Sequence, residues 1–283
     1  MPGIIWLASY PKSGNTWLRA FLANFLANPV RPVPINDLPN FILGDNLLLH
    51  YEQFTSRKVD DLSDEDFARL RPRIHEWFAR SRREDVFVKT HNAVSKVHGV
   101  PLITPSATAG AVYVIRNPMD VAVSFAHHYQ VDYAKAVTAL CEEQYSLPSS
   151  GGLLPQYLGS WSGHARSWTE APGLTLHLMR YEDMTGKPVK AFGRLVRFLG
   201  LPKDNERLRK AIKFSSFREL AAQEQKTKFI ESRPDSKSAF FRSGKAGAWR
   251  EFLTDEQAAQ LIDRHRHVME KVGYLTKDGK LAV

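Results

Sequence analysis

Ile4-Ile5-Trp6-Leu7-Ala8-Ser9-Tyr10-Pro11-Lys12-Ser13-Gly14-Asn15-Thr16-Trp17-Leu18-Arg19 reads as a buried strand, a tight turn holding a lysine, and the start of a helix. Such a turn aims backbone N–H groups and an ammonium at one spot. A helix N-terminus has unpaired donors and the positive end of the dipole, so a phosphate is its natural occupant. The turn departs from the Walker pattern G-x-x-x-x-G-K-[ST]. Its one glycine, Gly14, follows Lys12 instead of preceding it. It therefore reads as a P-loop-like element of a different kind from that of an ATPase.

From this turn the pattern extends along the chain. Apolar Trp17, Leu18, Phe21, Leu22, Phe25 and Leu26 recur at helical spacing and predict a helix over 15–26. Prolines at 29, 32, 34 and 39 break any period over 29–51, which reads as a long functional loop. Ser63 before Asp64-Glu65-Asp66 caps a second helix, with Phe67, Leu70, Ile74, Trp77 and Phe78 on one face. Residues 85–89 and 111–115 are continuous apolar runs that read as strands buried on both faces, and 174–179 is a further strand candidate. Asn117-Pro118 opens a further helix, and others are expected at 188–199, 205–214 and 215–223. Thr254 with Gln257 forms a capping box for a last helix that reaches about Val272 and stops at Gly273. The segment 223–237 reads as polar surface. Strands alternating with helices predict an α/β fold: one domain over 1–283, a central parallel β-sheet flanked by helices.

The 283 residues are 43% hydrophobic and 24% charged, ordinary for a globular protein. The net charge of +9 fits an anionic partner, or simply a basic surface. A single cysteine, Cys141, excludes an intrachain disulfide. The first apolar run is too short for a signal peptide, and no run approaches a membrane span. The expectation is a cytoplasmic protein with no transmembrane segment.

Four stretches carry candidate chemistry. Lys12 lies in the strand–turn–helix, where Ser13, Gly14, Asn15 and Thr16 add backbone and hydroxyl donors; the plainer alternative is a solvated lysine. Arg116 stands at the carboxyl end of a buried strand, where open α/β sheets bind ligands, and Ser124 lies about two turns into the next helix. The plainer alternative there is a capping motif with Arg116 paired to an acid. Lys89 ends another strand and His91 follows it. An imidazole titrates near neutrality, so His91 is the best general-base candidate, although most histidines are structural. Phe240-Phe241-Arg242-Ser243-Gly244-Lys245-Ala246-Gly247-Ala248-Trp249 reads as a second anion cradle or an ordinary basic loop.

Taken in order, these stretches resemble the cytosolic-type sulfotransferases that use 3′-phosphoadenosine 5′-phosphosulfate (PAPS). Residues 11–17 are similar to the family's 5′-phosphosulfate loop, 116–124 to its 3′-phosphate motif, 89–91 to its catalytic strand end and 241–249 to its C-terminal PAPS loop. The resemblance spans about residues 4 to 272. It implies in-line transfer of a sulfuryl group from PAPS to a hydroxyl of a small-molecule acceptor: a phenol, alcohol, lipid or polyketide-like compound. His91 would take the acceptor proton, Lys12 would stabilise the leaving oxygen and Lys89 would neutralise the sulfonate oxygens. Arg116, Ser124, Arg242, Ser243 and Gly244 align with the 3′-phosphate contacts. Trp17 and Tyr181 align with adenine contacts, and Ser215 and Phe217 with further cofactor contacts. Ser124 is further implied to tether Lys12 until acceptor binds. No metal is implied, because lysines supply the neutralising charge.

The chain departs from the family pattern at several places. Asn15 stands where threonine is frequent. After Trp249 the short dimerisation motif of animal members is not found, so dimerisation by that route is unsupported. Ser243 replaces a usual lysine, Ala248 a usual aspartate, and Asn92-Ala93 a usual Leu-Pro after His91. The aromatic content of 29–54, Phe125, His127, His128, Tyr129 and 145–161 suits an apolar acceptor. Two other classes remain at this stage. An ATP-dependent kinase would need a lysine after the glycine, and a nucleic-acid-binding module would rest on charge alone.

Overall fold

In the computed structural model, residues 2–232 and 239–282 are described. In chain order the elements begin with β1 (Ile4–Ser9), α1 (Asn15–Ala27), β2 (Leu43–Gly44), α2 (Leu48–Glu52), α3 (Asp64–Arg80) and β3 (Val86–Thr90). There follow β4 (Lys96–Val97), β5 (Val100–Pro101), β6 (Thr108–Ile115), α4 (Pro118–Tyr129), α5 (Tyr133–Cys141), β7 (Ser146–Leu147) and β8 (Gln156–Tyr157). The chain continues through α6 (Trp161–Thr169), β9 (Leu176–Arg180), α7 (Tyr181–Gly186), α8 (Pro188–Phe198), α9 (Asn205–Phe214), α10 (Phe217–Thr227) and α11 (Asp255–Lys271).

The fold is a central parallel sheet with helices around it, in the strand order β2-β3-β1-β6-β9. The apolar runs at 4–9, 85–89 and 111–115 are its middle strands β1, β3 and β6, whereas the run at 174–179 forms the edge strand β9, on which Leu178 is exposed. β1 pairs with β3 from Ile4↔Val86 to Ala8↔Thr90, and β2 adds to the far edge of β3 at Leu43↔Val88. Ser9 and His91 therefore emerge side by side from adjacent strands.

The chain's internal packing divides into two compact units. The first comprises Met1–Tyr10, Ile42–Tyr113 and Glu142–Leu178. In it α3 packs on the sheet through His75, whose ring meets the Trp6 ring edge-on at 4.9 Å and whose Nδ1 lies 2.8 Å from Thr104 Oγ1. Helix α6 brings His164 and Trp168 against Tyr113. Buried Arg71 and His75 lie on the inner face of α3, while Trp77 is more than one-third exposed. The face expected from the apolar residues alone is thus rotated, with His75 Nδ1 finding its partner in Thr104.

The second unit comprises Pro11–Phe41, Val114–Cys141 and Met179–Val283. Its core joins Ala20 and Ala23 of α1 to Val33, Ile35 and Leu38, and to Leu220 and Phe229. This corrects the reading of 29–51 as a loop. A 3-10 helix spans Ile35–Asn40, and β2 and the start of α2 follow. The prolines remove α-helical periodicity but are compatible with the tighter turn, so the apolar residues still point inward. The polar-surface reading of 223–237 changes likewise. Helix α10 runs on to Thr227, Phe229 is buried, and Glu231 accepts two hydrogen bonds from buried Arg19 at 2.6 and 2.7 Å. Residues 233–237 lie outside the described residues. Helices α5, α6 and α7 have no counterpart among the helices expected from the sequence. Among the described residues no helix is long and apolar enough to cross a membrane.

Candidate functional site

The sequence-derived candidates fall into two groups, one in each unit. Lys89 and His91 stand at the end of β3 in the first unit. The rest belong to the second.

His91 Nδ1 lies 2.8 Å from the Ser9 carbonyl and 3.3 Å from the Ser9 hydroxyl. A carbonyl only accepts, so Nδ1 carries a proton, and in the neutral form of the ring Nε2 is the basic nitrogen. The His91 carbonyl in turn accepts from His164 Nε2 at 3.0 Å, and His164 Nδ1 accepts from Tyr113 Oη at 2.8 Å. Burial pushes the His164 pKa down to about 4, with the bond to the His91 carbonyl pulling weakly the other way. Burial raises the Tyr113 hydroxyl pKa. Both rings therefore stay neutral and act as props.

A histidine whose folded pKa lies below its unfolded 6.5 resists protonation only in the native state. Its contribution is complete above pH 6.5 and is lost as the pH falls towards about 4. For His164 this amounts to about 3 kcal/mol. His75 and His265, held near 3 by burial, act in the same direction. We expect the melting temperature to fall steeply between pH 6.5 and 4, and His164→Gln to show a shallower fall. Thermal scans across that range check it; parallel curves would remove His164 from the account.

In the second unit the turn after β1 holds Lys12 at φ 68° and Gly14 at φ 107°. A Cβ on Gly14 would lie 2.7 Å from the Tyr181 ring, so glycine is required on both conformational and steric grounds. Gly14 opens α1 without a side-chain cap. Ser13 Oγ and Trp17 Nε1 are buried with no hydrogen-bond partner in the described residues. Thr16 Oγ1 accepts from Arg19 at 3.1 Å, and Asn15 and Thr16 are buried in the first turn. The Lys12 ammonium stands 3.8 Å over the Phe240 ring.

Arg116 is the hub. Its Nη1 donates to the Lys12 carbonyl at 3.4 Å, its Nη2 donates to the Lys245 carbonyl at 3.1 Å, and its guanidinium lies 4.2 Å over the Tyr181 ring. Tyr181 meets Trp17 edge-on at 5.7 Å. The structure thus brings the phosphosulfate-like loop, Arg116, Tyr181, Trp17 and the C-terminal loop together. Gly244, at φ 64°, packs on Phe217 so closely that a Cβ would stand 2.4 Å from that ring.

The remaining candidates are placed differently. The Arg242 guanidinium rests 5.0 Å from the Phe252 ring, near His127, whose pKa is lowered by burial and then by the Arg242 charge. Ser215 is buried, and its hydroxyl donates back to the Ala211 carbonyl at 2.8 Å. Ser243 Oγ accepts from the Lys245 N–H at 3.2 Å. Ser124 is half-buried on α4. Of the residues placed near the acceptor, Phe125 is core, its ring tilted at 42° against that of Tyr129.

Sequence reasoning missed the anchors behind these groups. Buried Asp120 accepts from the backbone N–H of Gly247 at 2.7 Å and of Trp249 at 3.1 Å, tying the C-terminal loop to α4. Glu224 accepts from the N–H of Phe240 and Phe241 at 2.6 and 2.9 Å. Glu182 accepts from the Asn117 N–H and the Tyr274 hydroxyl at 3.0 and 2.7 Å. Asp120 and Glu182 had a local signal, each an acid in a first helical turn beside a candidate residue, whereas Glu224 had none.

The donor set fits PAPS: orphaned donors on a helix opening, two glycines enforced by aromatic neighbours, and an arginine between two loops. No group of three or more His, Cys, Asp or Glu side chains suited to a metal occurs among the described residues. Comparison with known proteins agrees with this chemistry. A family model described as sulfotransferase domain matches residues 2–273. Flavonol 3-sulfotransferase of Flaveria bidentis is 26% identical, over 96% of this chain and 82% of its own length. Cytosolic sulfotransferase 17 of Arabidopsis thaliana is 28% identical, over 97% and 77% respectively. Among solved structures, mouse sulfotransferase SULT7A1 complexed with PAP has a TM-score of 0.60 at 21% identity, covering 96% of this chain and 86% of that one. Retinol dehydratase in complex with retinol and PAP gives 0.63 at 19%, covering 100% and 83%. With the fold, the loop chemistry and the family model in agreement along nearly the whole chain, this protein belongs to the sulfotransferase-domain family and is a PAPS-dependent enzyme that transfers a sulfuryl group to small-molecule acceptors.

Proposed function

We propose that the acceptor group is a hydroxyl and that His91 Nε2 removes its proton. The observation that carries this reading is the 2.8 Å bond from His91 Nδ1 to the Ser9 carbonyl, which leaves Nε2 as the basic nitrogen. PAPS, when bound, supplies the sulfuryl group on a phosphosulfate anhydride. Charge spreads over oxygens in such a transfer, so the chain's task is positioning and electrostatic neutralisation. Lys12 neutralises the bridging oxygen of the leaving bisphosphate. Lys89 lends its charge to the sulfonate oxygens. Ser13, Gly14, Asn15 and Thr16 cradle the 5′ end. Arg116, Ser124, Arg242, Ser243 and Gly244 take the 3′-phosphate, while Trp17, Tyr181, Ser215 and Phe217 serve the nucleoside.

Apolar phenols and alcohols are the acceptor class, supported by the aromatic residues of 29–54 and 145–161 and by the flavonol specificity in the names of relatives. The test is a panel assay with PAPS and no added metal, reading 3′,5′-adenosine bisphosphate release with and without acceptor. Flavonols, simple phenols and apolar alcohols should raise release well above the acceptor-free rate. Transfer confined to amines would overturn the hydroxyl reading.

A further inference from the structure

His91 lies between two residues whose side chains bind one buried carboxylate. Thr90 Oγ1 donates to Asp45 Oδ2 at 2.7 Å, and Asn92 Nδ2 donates to the same oxygen at 3.0 Å. Asp45 is 1% exposed, and its own N–H donates to the Lys89 carbonyl at 3.2 Å. The Asn92 N–H closes onto Thr90 Oγ1 at 3.0 Å. From the other side, Asn92 accepts the Tyr157 N–H on its side-chain oxygen at 2.9 Å and the Trp168 indole N–H on its carbonyl at 3.0 Å. All these residues belong to the first unit.

The arrangement has a physical purpose. The β1–β3 ladder ends at Ala8↔Thr90, so past that point no strand pairing sets the path of the chain. Besides the bonds His91 itself makes with Ser9 and His164, the direction in which residue 91 leaves the sheet is set by what holds residues 90 and 92. Asp45 holds both. Asn92 is also where the chain departs from the usual Leu-Pro, and a leucine there could not make the two side-chain bonds, to Asp45 and from the Tyr157 N–H.

We propose that Asp45 is the positioning residue for His91: by accepting from Thr90 and Asn92 it fixes the strand end from which the imidazole projects. The proposal rests on the reading of His91 as proton acceptor. The role requires an oxygen that accepts two hydrogen bonds, which an amide oxygen also provides.

The test compares purified Asp45→Ala, Asp45→Asn, Thr90→Val and His91→Ala, measuring kcat with a phenol found active in the panel and the Kd of 3′,5′-adenosine bisphosphate. Displacing a reacting group by about 1 Å costs about 10²-fold in rate. Asp45→Ala should therefore lose about 10²-fold in kcat, with bisphosphate Kd and binding stoichiometry unchanged. Asp45→Asn should recover most of that loss, and Thr90→Val, which removes one of the two donors, should lose about tenfold. If Asp45→Ala does not fold, Thr90→Val and Asp45→Asn decide the matter by themselves. Parental kcat in Thr90→Val, or a kcat loss that merely follows lost binding stoichiometry, overturns the proposal. An inactive His91→Ala beside a fully active Asp45→Ala sinks the positioning role alone. An active His91→Ala sinks the reading of His91 itself.

Discussion

His91→Ala should lower kcat by about 10³-fold while leaving the Kd for 3′,5′-adenosine bisphosphate within about twofold of the parent. General-base catalysis is worth about 10² to 10⁴ in rate, and His91 is placed for it. Its Nδ1 is committed to the Ser9 carbonyl, so Nε2 is the basic nitrogen of the neutral ring without any change of tautomer. The effect should fall on kcat, because proton removal develops only in the transition state. The residues proposed for the bisphosphate are all in the second unit, whereas His91 belongs to the first. Transfer kinetics and calorimetric titration on one preparation separate the two quantities. Loss of bisphosphate affinity would show that the imidazole supports the nucleotide and not the acceptor.

Arg116→Ala should do the reverse and weaken the bisphosphate by about 10²-fold, the scale for truncating one member of a desolvated, hydrogen-bonded charge pair. Arg116 joins three parts of the second unit: the Lys12 carbonyl, the Lys245 carbonyl and the Tyr181 ring. Alanine removes a bidentate cation and also releases two loops from each other. Arg116→Lys restores the charge but not the fork, so it should recover only part of the affinity. Titration with 3′,5′-adenosine bisphosphate in the absence of added metal measures all three proteins. Unchanged affinity in Arg116→Ala would remove this residue from the site.

The sequence by itself determined the α/β class, the strand–turn–helix of the candidate phosphate loop and the ends of most long elements. Those features are local. A run such as Ala111-Val112-Tyr113-Val114-Ile115 has nowhere to go but a covered strand, and Asn117, Ser63 and Thr254 cap the helices that follow them with bonds spanning two or three residues. Gly14 could be marked from its motif, although the reason for it, the Tyr181 ring, lies far along the chain.

Tertiary structure alone decided what holds the candidate residues in place. Asp45 acts on Thr90 across 45 residues, His164 on His91 across 73 and Asp120 on Gly247 across 127. It also decided that Ile35 and Leu38 are core rather than loop, that Arg71 and His75 are buried, and that Arg242 rests on Phe252. A hydrogen bond between distant residues leaves no period and no spacing in the chain. A buried polar group is stable only when folding delivers its partner, so the bare residue types do not announce it.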